Sequence, residues 1–488
     1  MIAAEVRRGR WADSAKLLAA ARAAEAVDGV DQAACFMGTP ANLAEAREIG
    51  VWEPAMDGAG PDDLIIAVAG EHADAGLAAA ASVLDTRPDG GGTGAAAPAA
   101  ANIAKVSADL ALISVPGEYA ALESHKALTA GMDVMLFSDG VTIEDEVALK
   151  RRARELGRLV MGPGCGTAII GGVGLAFANV VRPGPVGVVA AAGTGAQEVT
   201  VLLDRYGTGV STCYGTGGRD LHEEVGAITM LDAIDRLVVD PATEVILCVS
   251  KPPAEAVAEQ VLAALAATDK PAAVCFVGAS GLDAPPGVTV AATLEDAAAA
   301  AARMAGMTVD AATDAPIDWV VPGLVRGLYS GGTLCGEAAA IMAERLPRVE
   351  SNAPAGGAVK LKPGEAPTTH ACLDLGEEEY TRGRPHPMID PLARAELLAE
   401  VLADSAVSVI LLDVVLGYGS HPDPAGALLP AIAVGVSRRE RLVVVAHVCG
   451  TDADPQVASR QEAALAEAGV RLASTNAQAA RLAAALVG

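Results

Sequence analysis

Short apolar runs alternate with longer amphipathic segments through the middle of the chain. Strands that alternate with helices predict parallel βαβ units with right-handed crossovers. The length of residues 103–310 predicts two doubly wound domains, a Rossmann-like domain at 103–180 and a flavodoxin-like domain at 181–310. The apolar runs predicted as strands, each followed by a helical segment, lie at 109–114, 133–137, 186–190, 245–249 and 272–277.

The two ends of the chain show related patterns. Residues 321–488 predict a third doubly wound domain, with strands at 408–415 and 442–446 and helices at 391–404, 455–468 and 475–486. Residues 1–85 predict a small α+β domain, with strands at 31–37 and 64–68 and helices at 12–27, 40–49 and 74–84. Segments 86–102 and 350–368 are rich in Gly, Pro and Ala without periodicity, which is typical of linkers or mobile loops. The predicted fold class is therefore α/β, with successive parallel-sheet domains after a small α+β domain.

Composition supports this architecture and limits the partners. The 488 residues are 52% hydrophobic but only 3% aromatic, as expected for parallel sheets covered by Ala-rich helices. Asp plus Glu total 61 against 35 Lys plus Arg, a formal net charge of −26. A chain this acidic is a poor partner for nucleic acid or an anionic membrane.

The cysteines and the apolar stretches give no sign of metal or membrane. None of the eight cysteines forms a C-x-x-C pair, so neither a zinc site nor a redox motif is predicted. No apolar run reaches the length of a membrane span, and the first residues lack a stretch of signal-peptide length. We therefore expect a cytoplasmic protein that holds no metal.

A Gly-rich turn follows the strand near 186–190 and opens a helix at once. Free N–H groups and the positive end of a helix dipole attract phosphate or carboxylate. We therefore predict that Gly193, Thr194 and Gly195 bind an oxyanion. The alternative is a tight turn with Thr194 as the N-cap of the helix.

The next Gly-rich strand end carries Gly217, Gly218 and Arg219. Ligands collect at the carboxyl ends of strands in open α/β sheets, and an arginine there can clamp an oxyanion with two hydrogen bonds. These three residues are therefore predicted to bind phosphate. In the alternative, Arg219 forms a surface salt bridge with Asp220 or Glu223.

A third strand end consists of Ser250 and Lys251 followed by two prolines. The prolines fix the backbone where a helix starts, which would hold Lys251 at the rim of the sheet, where its ammonium can meet an anion. Ser250 is a candidate phosphate ligand and Lys251 a candidate catalytic residue. A lysine with no role beyond the turn is the alternative.

Two segments of the C-terminal region complete the candidate residues. Gly417, Tyr418 and Gly419 follow a strand, and His421 in the same turn is a candidate acid, base or phosphate contact, with a structural or solvated histidine as the alternative. The loop at 370–390 holds three candidate anion ligands between Gly and Pro residues, namely Arg382, Arg384 and His386. A solvated surface loop is the alternative for that segment.

These motifs, in this order, resemble the succinyl-CoA synthetase superfamily and most closely its FdrA branch. MGPGCGTAII at 161–170, the strand and turn at 186–198 and the strand end at 250–253 resemble the synthetase α subunit. GLYSGGTLCGEAAAIM at 327–342 and LLDVVLGYGSHPDPAG at 411–426 resemble the ligase domain of the β subunit. GPGCGTAIIGGVGLAFANV and YTRGRPHPMIDP are FdrA-like phrases. The resemblance covers about three quarters of the chain.

The resemblance implies that two helix N-termini, at Gly193–Gly195 and Gly417–Gly419, point at one shared phosphate. Glu198 matches the glutamate that orients a phosphohistidine in the synthetases, and it is a candidate catalytic residue here. The segment that would carry this histidine, 280–296, has none, and the CoA-binding turn would fall near 86–102, where no fingerprint stands. Phosphohistidine chemistry is therefore not expected. No cofactor is predicted, with CoA left as an alternative.

Three functions follow from the resemblance. In the first, the chain is a component of an oxamate carbamoyltransferase, which binds carbamoyl phosphate or another acyl phosphate and a small carboxylate and forms a hetero-oligomer with partner subunits. That enzyme links oxamate plus carbamoyl phosphate to oxalurate plus phosphate in allantoin breakdown. The second function is an acyl-CoA synthetase or CoA ligase. The third is a scaffold subunit without catalysis.

Overall fold

The computed structural model describes residues 1–10, 12, 14–85, 103–310, 317, 319–381, 385–439 and 441–487. The chain divides into two units between Ala99 and Ala100. The predicted linker at 86–102 lies outside the described residues, as do Arg382 and Arg384. Among the described residues, no helix combines the length and the apolar character that crossing a bilayer requires.

The first unit contains an antiparallel sheet of three strands in the order β1-β3-β2. Its elements are β1 (Ile2–Arg7), α1 (Ser14–Glu25), β2 (Val30–Met37), α2 (Pro40–Glu48), β3 (Leu64–Gly70) and α3 (Ala73–Asp85). Along the central strand β3, Ile66 and Val68 pack into one apolar cluster and Ile65 and Ala67 into another. This alternation buries both faces of the sheet. The predicted small α+β domain is therefore present, with β1 as an additional strand.

The second unit begins with a small parallel sheet of order β4-β5-β6. Its elements are β4 (Leu110–Ile113), α4 (Gly117–Thr129), β5 (Asp133–Leu136), α5 (Ile143–Glu155) and β6 (Val160–Met161). Helix α5 begins after Thr142, whose hydroxyl accepts a hydrogen bond from the Asp145 N–H. Acidic residues in its first turn complement the positive end of the helix dipole.

The first of two seven-stranded sheets has the order β13-β12-β11-β9-β10-β7-β8. Its elements are β7 (Thr167–Ile170), β8 (Val173–Ala176), β9 (Pro183–Ala191), α6 (Gly193–Arg205), β10 (Val210–Gly215), α7 (Ile228–Val239), β11 (Val245–Ser250), α8 (Glu255–Ala266), β12 (Ala272–Phe276), β13 (Val288–Ala291) and α9 (Leu294–Met304). Strands β9 to β13 are parallel, and β7 and β8 form an antiparallel extension. The parallel part is doubly wound in the flavodoxin-like order. Its direction of winding reverses between β9 and β11, which is where such sheets bind ligands.

The second seven-stranded sheet is parallel throughout, with the order β16-β15-β17-β14-β18-β19-β20. Its strands are β14 (Leu324–Tyr329), β15 (Val349–Ser351), β16 (Val359–Lys360), β17 (His370–Asp374), β18 (Val407–Val415), β19 (Val443–Cys449) and β20 (Arg471–Ala473). Its helices are α10 (Gly332–Ala343), α11 (Glu378–Thr381), α12 (Leu392–Ala403), α13 (Pro424–Arg438), α14 (Ala458–Glu467) and α15 (Asn476–Val487). The α/β fold class predicted from the alternation is confirmed.

A layer of four helices lies between the two large sheets. Helices α6 and α9 of the first sheet pack against α10 and α15 of the second. One apolar cluster contains Val188 and Val249 of the first sheet, Val325 and Val409 of the second, and the buried alanines of the helices. The two doubly wound domains therefore share a core, and their relative position is fixed by it.

The segment 350–368, predicted as a linker or mobile loop, contributes the edge of the second sheet. It contains most of β15 and all of β16. The buried Glu350 carboxylate accepts hydrogen bonds from the N–H groups of Thr368 and Thr369. This side chain ties the end of the Gly- and Pro-rich stretch to the sheet. The aperiodic composition of 350–368 thus corresponds to an irregular connection that is hydrogen-bonded to the sheet.

A buried ionic network joins the small parallel sheet to the end of β10. Lys150 on α5 has no exposed side-chain surface, and its Nζ donates to Glu146 Oε1 at 2.8 Å and to Asp220 Oδ1 at 2.7 Å. A third bond, of 3.0 Å, goes to the carbonyl of Thr216. All three ammonium protons are thus used, as burial of a charge requires.

We expect Lys150→Met to destabilise the protein by about 3–5 kcal/mol, because it leaves the buried Asp220 without its cation and removes one of the two cations that contact Glu146. The free energy of unfolding from urea denaturation measures this change. The matched control is Lys126→Met on α4, whose side chain is 40% exposed and pairs with Glu123. Exposed pairs contribute about 0–1 kcal/mol. Equal effects of the two substitutions would show that the buried network does not stabilise the fold.

Candidate functional site

The N-termini of α6 and α10 meet at the carboxyl edges of the two large sheets. Helix α6 follows β9, and α10 follows β14. The N–H of Thr333 on α10 donates a hydrogen bond of 3.3 Å to the hydroxyl of Thr194 on α6. The N-cap of α6 is Ala192, so Thr194 is not the N-cap of its own helix, as the alternative prediction had it. It links the tips of two helices instead.

Glycines allow the two tips to approach each other. A methyl group on Gly331 would lie 2.8 Å from Thr194 Cγ2 and 3.0 Å from Asp413 Oδ2. A methyl group on Gly195 would lie 3.0 Å from Thr333 Cγ2. Such distances are shorter than side chains tolerate, so these glycines are needed for close backbone approach.

The tip of α6 carries backbone donors that lack a protein acceptor. No described residue accepts a hydrogen bond from the N–H of Gly193, Thr194 or Gly195. The first N–H groups of a helix have no partner within the helix, and together with the helix dipole they attract anions. The α6 tip is therefore suited to hold an oxyanion.

A buried carboxylate accepts hydrogen bonds from the turn before α10. Asp413, near the end of β18, accepts bonds of 2.8 Å from the N–H groups of Ser330 and Gly331. The guanidinium of Arg394 on α12 donates to the same carboxylate at 2.8 Å. Asp413 is completely buried, and these donors balance its charge. It fixes the β14–α10 turn.

Lys251 and Asp374 lie at the first residue of α10. A methyl group on Gly332 would collide with Asp374 Oδ2 and lie 3.3 Å from Lys251 Nζ. Lys251 follows β11, beside the point where the first sheet reverses its winding, and Asp374 ends β17. Burial raises the pKa of Asp374 to about 7, although the nearby ammonium of Lys251 opposes this shift. The site thus combines a cation, a titratable carboxyl and helix N–H groups.

Two glutamates one turn further along the helices cap helices of the opposite domain. Glu198 on α6 accepts a bond of 3.2 Å from the N–H of Asn476, the first residue of α15. Glu337 on α10 accepts a bond of 2.7 Å from the N–H of Leu294, the first residue of α9. Burial raises the pKa of Glu337 to about 7. Both helices begin with the spacing Gly-Thr-x-x-x-Glu, at 193–198 and 332–337. This repeat is the one sequence signal for the two reciprocal caps.

Glu198 also has a histidine partner that the sequence did not indicate. The Nε2 atom of His447 lies 2.7 Å from Glu198 Oε2, and both side chains are buried. Burial opposes ionisation of Glu198, but His447, Arg205 and the Asn476 N–H together outweigh it and lower the pKa of the carboxyl. His447 stands inside the uninterrupted apolar strand β19, so no local pattern singles it out.

The structure gives Arg219 and its neighbouring glycines other contacts. Arg219 pairs with Glu146 at 2.9 Å and donates to the carbonyl of Val141 at 2.8 Å. Neither the predicted oxyanion clamp nor the alternative pairing with Asp220 or Glu223 describes these contacts. A methyl group on Gly217 would collide with the carbonyl of Pro163, whereas Gly218 faces open space. This strand end packs against the small parallel sheet.

The turn at Gly417–Gly419 is not the partner of the α6 tip, a correction to the predicted pair of helices. The N–H of Tyr418 donates to the carbonyl of Ala178 at 3.1 Å, and a methyl group on Gly419 would lie 2.8 Å from the ring of Phe177. The N–H of His421 donates to the carbonyl of Met388 at 2.7 Å. These glycines allow close packing against the β8 region. The helix whose tip meets α6 is α10, not α13, the helix that follows the turn at 417–419.

Two further candidates lie near the site. His386 stands beside the turn after Asp374, since a methyl group on Gly376 would lie 2.5 Å from its Nε2. Burial lowers the pKa of His386 to about 4, and its Nδ1 accepts a bond of 3.3 Å from the Met388 N–H, which leaves Nε2 as the N–H donor. Ser250 is buried at the end of β11. Arg382 and Arg384 lie outside the described residues.

Three family descriptions match the chain. Residues 328–486 match "CoA-ligase", residues 181–278 match "CoA binding domain", and residues 1–99 match "AllF, heavy metal-associated domain". The chain is therefore a CoA-ligase-like protein related to acyl-CoA synthetases. The CoA-binding match covers β9 to β12 of the first large sheet and leaves out the Rossmann-like domain predicted at 103–180.

Individual relatives define the family more closely. "Uncharacterized protein YahF" of Escherichia coli (strain K12) is 39% identical over 493 residues, which cover 96% of each chain. The chain belongs to the YahF family, whose members are FdrA-like. The α subunit of the ADP-forming succinate–CoA ligase of Aquifex aeolicus (strain VF5) is 30% identical over 191 residues, or 38% of this chain and 60% of that subunit. None of these names refers to carbamoyl transfer.

A solved structure shows a weaker likeness. The dinucleotide-forming acetyl-coenzyme A synthetase 1 of Ca. Korarchaeum cryptofilum, in complex with phosphate and ADP, is 16% identical, with a TM-score of 0.35. The match covers 79% of this chain and 84% of that one. A score this low carries no argument about the site.

The residues of the first unit do not fit a heavy-metal site. Soft metal ions are bound by thiolates, and this unit has a single cysteine, Cys35. Burial raises the pKa of its thiol to about 12. Among the residues that the structure describes, no group of three or more His, Cys, Asp and Glu side chains is placed to hold a metal ion.

We expect Gly332→Ala to weaken binding of sulfate by about tenfold or more, equivalent to ~1.4 kcal/mol, because the new methyl group displaces Asp374 and Lys251. Calorimetric titration with sulfate measures the change. Gly336→Ala on the same helix is the control, since its methyl group would have only ordinary contacts at 3.5 Å. That control should bind sulfate normally and gain about 0.5–1 kcal/mol of stability. Equal binding by both variants would place the oxyanion elsewhere.

We expect Glu198→Gln to reduce the free energy of unfolding by about 1.5–3 kcal/mol near neutral pH, because it weakens the bonds to His447 and to the start of α15. The folded pKa of Glu198 is lowered, so the carboxylate contributes stability above its unfolded pKa and loses it as pH falls through the folded value. The difference from wild type should therefore shrink in acid. Urea denaturation across pH measures it, with the exposed Glu259→Gln as control; a difference that does not vary with pH would contradict this assignment.

Proposed function

We propose that this chain binds phosphate, or the phosphoryl group of an acyl phosphate, between α6 and α10 and catalyses the acyl phosphate-to-thioester step of an acid–thiol ligase. The observation that carries this proposal is the bond between Thr194 and the Thr333 N–H, which brings the two helix tips together beside Lys251. Membership of a CoA-ligase-like family supports the choice of reaction.

The reaction supported best is exchange of an acyl group between phosphate and a thiol. Charge develops on the phosphate oxygens when the acyl–oxygen bond breaks. Fixed N–H groups and an ammonium stabilise such charge without reorganisation. The free N–H groups of Gly193 to Gly195 and the ammonium of Lys251 would supply this stabilisation. CoA is the thiol proposed here, because residues 181–278 match a CoA-binding description.

A direct acyl phosphate route is proposed instead of a phosphohistidine route. The segment 280–296 contains no histidine. His447, the histidine that contacts Glu198, is completely buried, and its Nδ1 lies 3.2 Å from the carbonyl of Ala473. Both ring nitrogens therefore have partners within the core, and the ring has no surface from which to accept a phosphoryl group.

Oxamate carbamoyl transfer is the second candidate. Carbamoyl phosphate is itself a small acyl phosphate, so the same helix tips would hold its leaving phosphate. The Lys251 side chain is 44% exposed and forms a long ion pair of 3.9 Å with Glu377; the carboxylate of the acceptor would compete with Glu377 for its ammonium. In this case we propose that partner subunits complete the site. Release of phosphate from carbamoyl phosphate with oxamate, with and without candidate partners, tests this alternative.

The test of the main proposal is binding and turnover by the full chain. We expect sulfate and CoA to bind in calorimetric titrations, and acetyl phosphate plus CoA to yield a thioester detected by its ultraviolet absorbance. Lys251→Met should weaken sulfate binding about tenfold, or ~1.4 kcal/mol, through loss of one nearby charge.

The matched control is Lys126→Met, whose side chain has a similar exposure of 40% and pairs with Glu123. This variant should bind sulfate as the wild type does. Absence of sulfate binding by the wild type would overturn the oxyanion site. Sulfate binding without CoA binding would leave carbamoyl transfer as the better reading.

A further inference from the structure

Two carboxylates border the tip of α10, and they differ in how their charge is compensated. Asp413 accepts two backbone N–H groups and pairs with Arg394. Asp374 accepts one backbone bond, from the Gly376 N–H to Oδ1 at 2.9 Å. No described residue donates a hydrogen bond to its other oxygen, Oδ2. Both oxygens of Asp413 thus have donors, whereas Asp374 retains one oxygen without a donor among the described residues.

That free oxygen is directed into the proposed site. Oδ2 of Asp374 occupies the space that a side chain on Gly332 would fill, and Lys251 Nζ borders the same space. The carboxyl group is almost entirely buried. An anion held at the helix tips would therefore lie beside a carboxyl oxygen that it can approach only if a proton lies between them.

We infer that Asp374 relays the proton of the reaction, accepting it from the thiol and donating it to the departing phosphate. This inference rests on the proposed function. The S–H bond of the thiol breaks as the C–S bond forms, and the C–O bond to phosphate breaks. The proton passes through Asp374 Oδ2 to the phosphate oxygen. Atoms and charge balance without any other reactant.

The surroundings of Asp374 suit this role. Burial raises its pKa to about 7, and the like charges of Glu377 and Asp413 act in the same direction, whereas Lys251 and the Gly376 N–H oppose them. A group that exchanges protons near neutral pH is an efficient general acid and base. The nearby His386 is neutral there, since burial lowers its pKa to about 4.

Proton uptake on binding of sulfate tests the inference without turnover. Sulfate does not titrate between pH 5.5 and 8, so calorimetric titrations in buffers of different ionisation enthalpy report uptake by the protein alone. We expect the wild type to take up a substantial fraction of one proton at pH 8 and almost none at pH 5.5, where Asp374 is already protonated. Asp374→Asn should bind sulfate without uptake at either pH.

Glu337→Gln is the matched control, because burial raises the pKa of Glu337 to the same region while its carboxylate caps α9. This variant should retain the uptake. Once a turnover assay is in hand, Asp374→Asn should lower kcat about 10²–10⁴-fold with little change in KM, and Asp374→Glu should restore part of it.

The outcomes separate the inference from the proposed function. Failure of the wild type to bind sulfate would overturn both. Sulfate binding with no uptake, with uptake that is the same at both pH values, or with uptake retained by Asp374→Asn would overturn the relay and leave the oxyanion site intact. The comparison of pH values uses the wild type alone, so it holds even if a variant does not fold.

Discussion

The structure depends on a pair of carboxylates that each cap a helix from the opposite domain. Glu198 of α6 binds the start of α15, and Glu337 of α10 binds the start of α9. Buried carboxylates need donors, and helix N-termini need acceptors. Each domain supplies the acceptor for a helix N-terminus of the other. Without its partner, each domain would have a buried carboxylate and a helix N-terminus without these hydrogen bonds. The four-helix layer and the shared apolar core follow from this exchange.

This exchange also places the site. Asn476, which α6 binds through Glu198, also donates to Glu337 of α10. One helical turn before the two glutamates, the Thr333 N–H of α10 donates to Thr194 of α6, so the same two helices also meet at their tips. The glycines next to the threonines leave room for this contact. The carboxyl edges of both sheets therefore open onto one region, where Lys251 from the first sheet reaches α10 of the second. The contacts that hold the two domains together therefore also bring the residues of the proposed site together.

Much of the architecture and half of this site were predictable from the sequence. The alternation of apolar runs predicted β9 and α6, and the Gly-rich turn at 193–195 and Lys251 stood out because each follows a strand. The partner helix could not be chosen locally, because the turn at 417–419 is as rich in glycine as the one at 331–332 and follows an equally apolar strand. His447 lies within an apolar strand and Asp374 at the end of one. No local motif surrounds either residue, so only the tertiary contacts show their partners.

The net charge of −26 makes an anion site costly unless positive features are local. At the helix tips those features are mostly backbone N–H groups, which do not alter the net charge, with Lys251 as the nearby ammonium. Asp413 lies close by, but its charge is already balanced by Arg394 and by N–H groups of the turn. Asp374 has less compensation, namely one backbone N–H and the nearby ammonium of Lys251, which also pairs with Glu377 at 3.9 Å. Under the proposed function, protonation of this carboxyl removes its repulsion of the bound anion and supplies a hydrogen-bond donor.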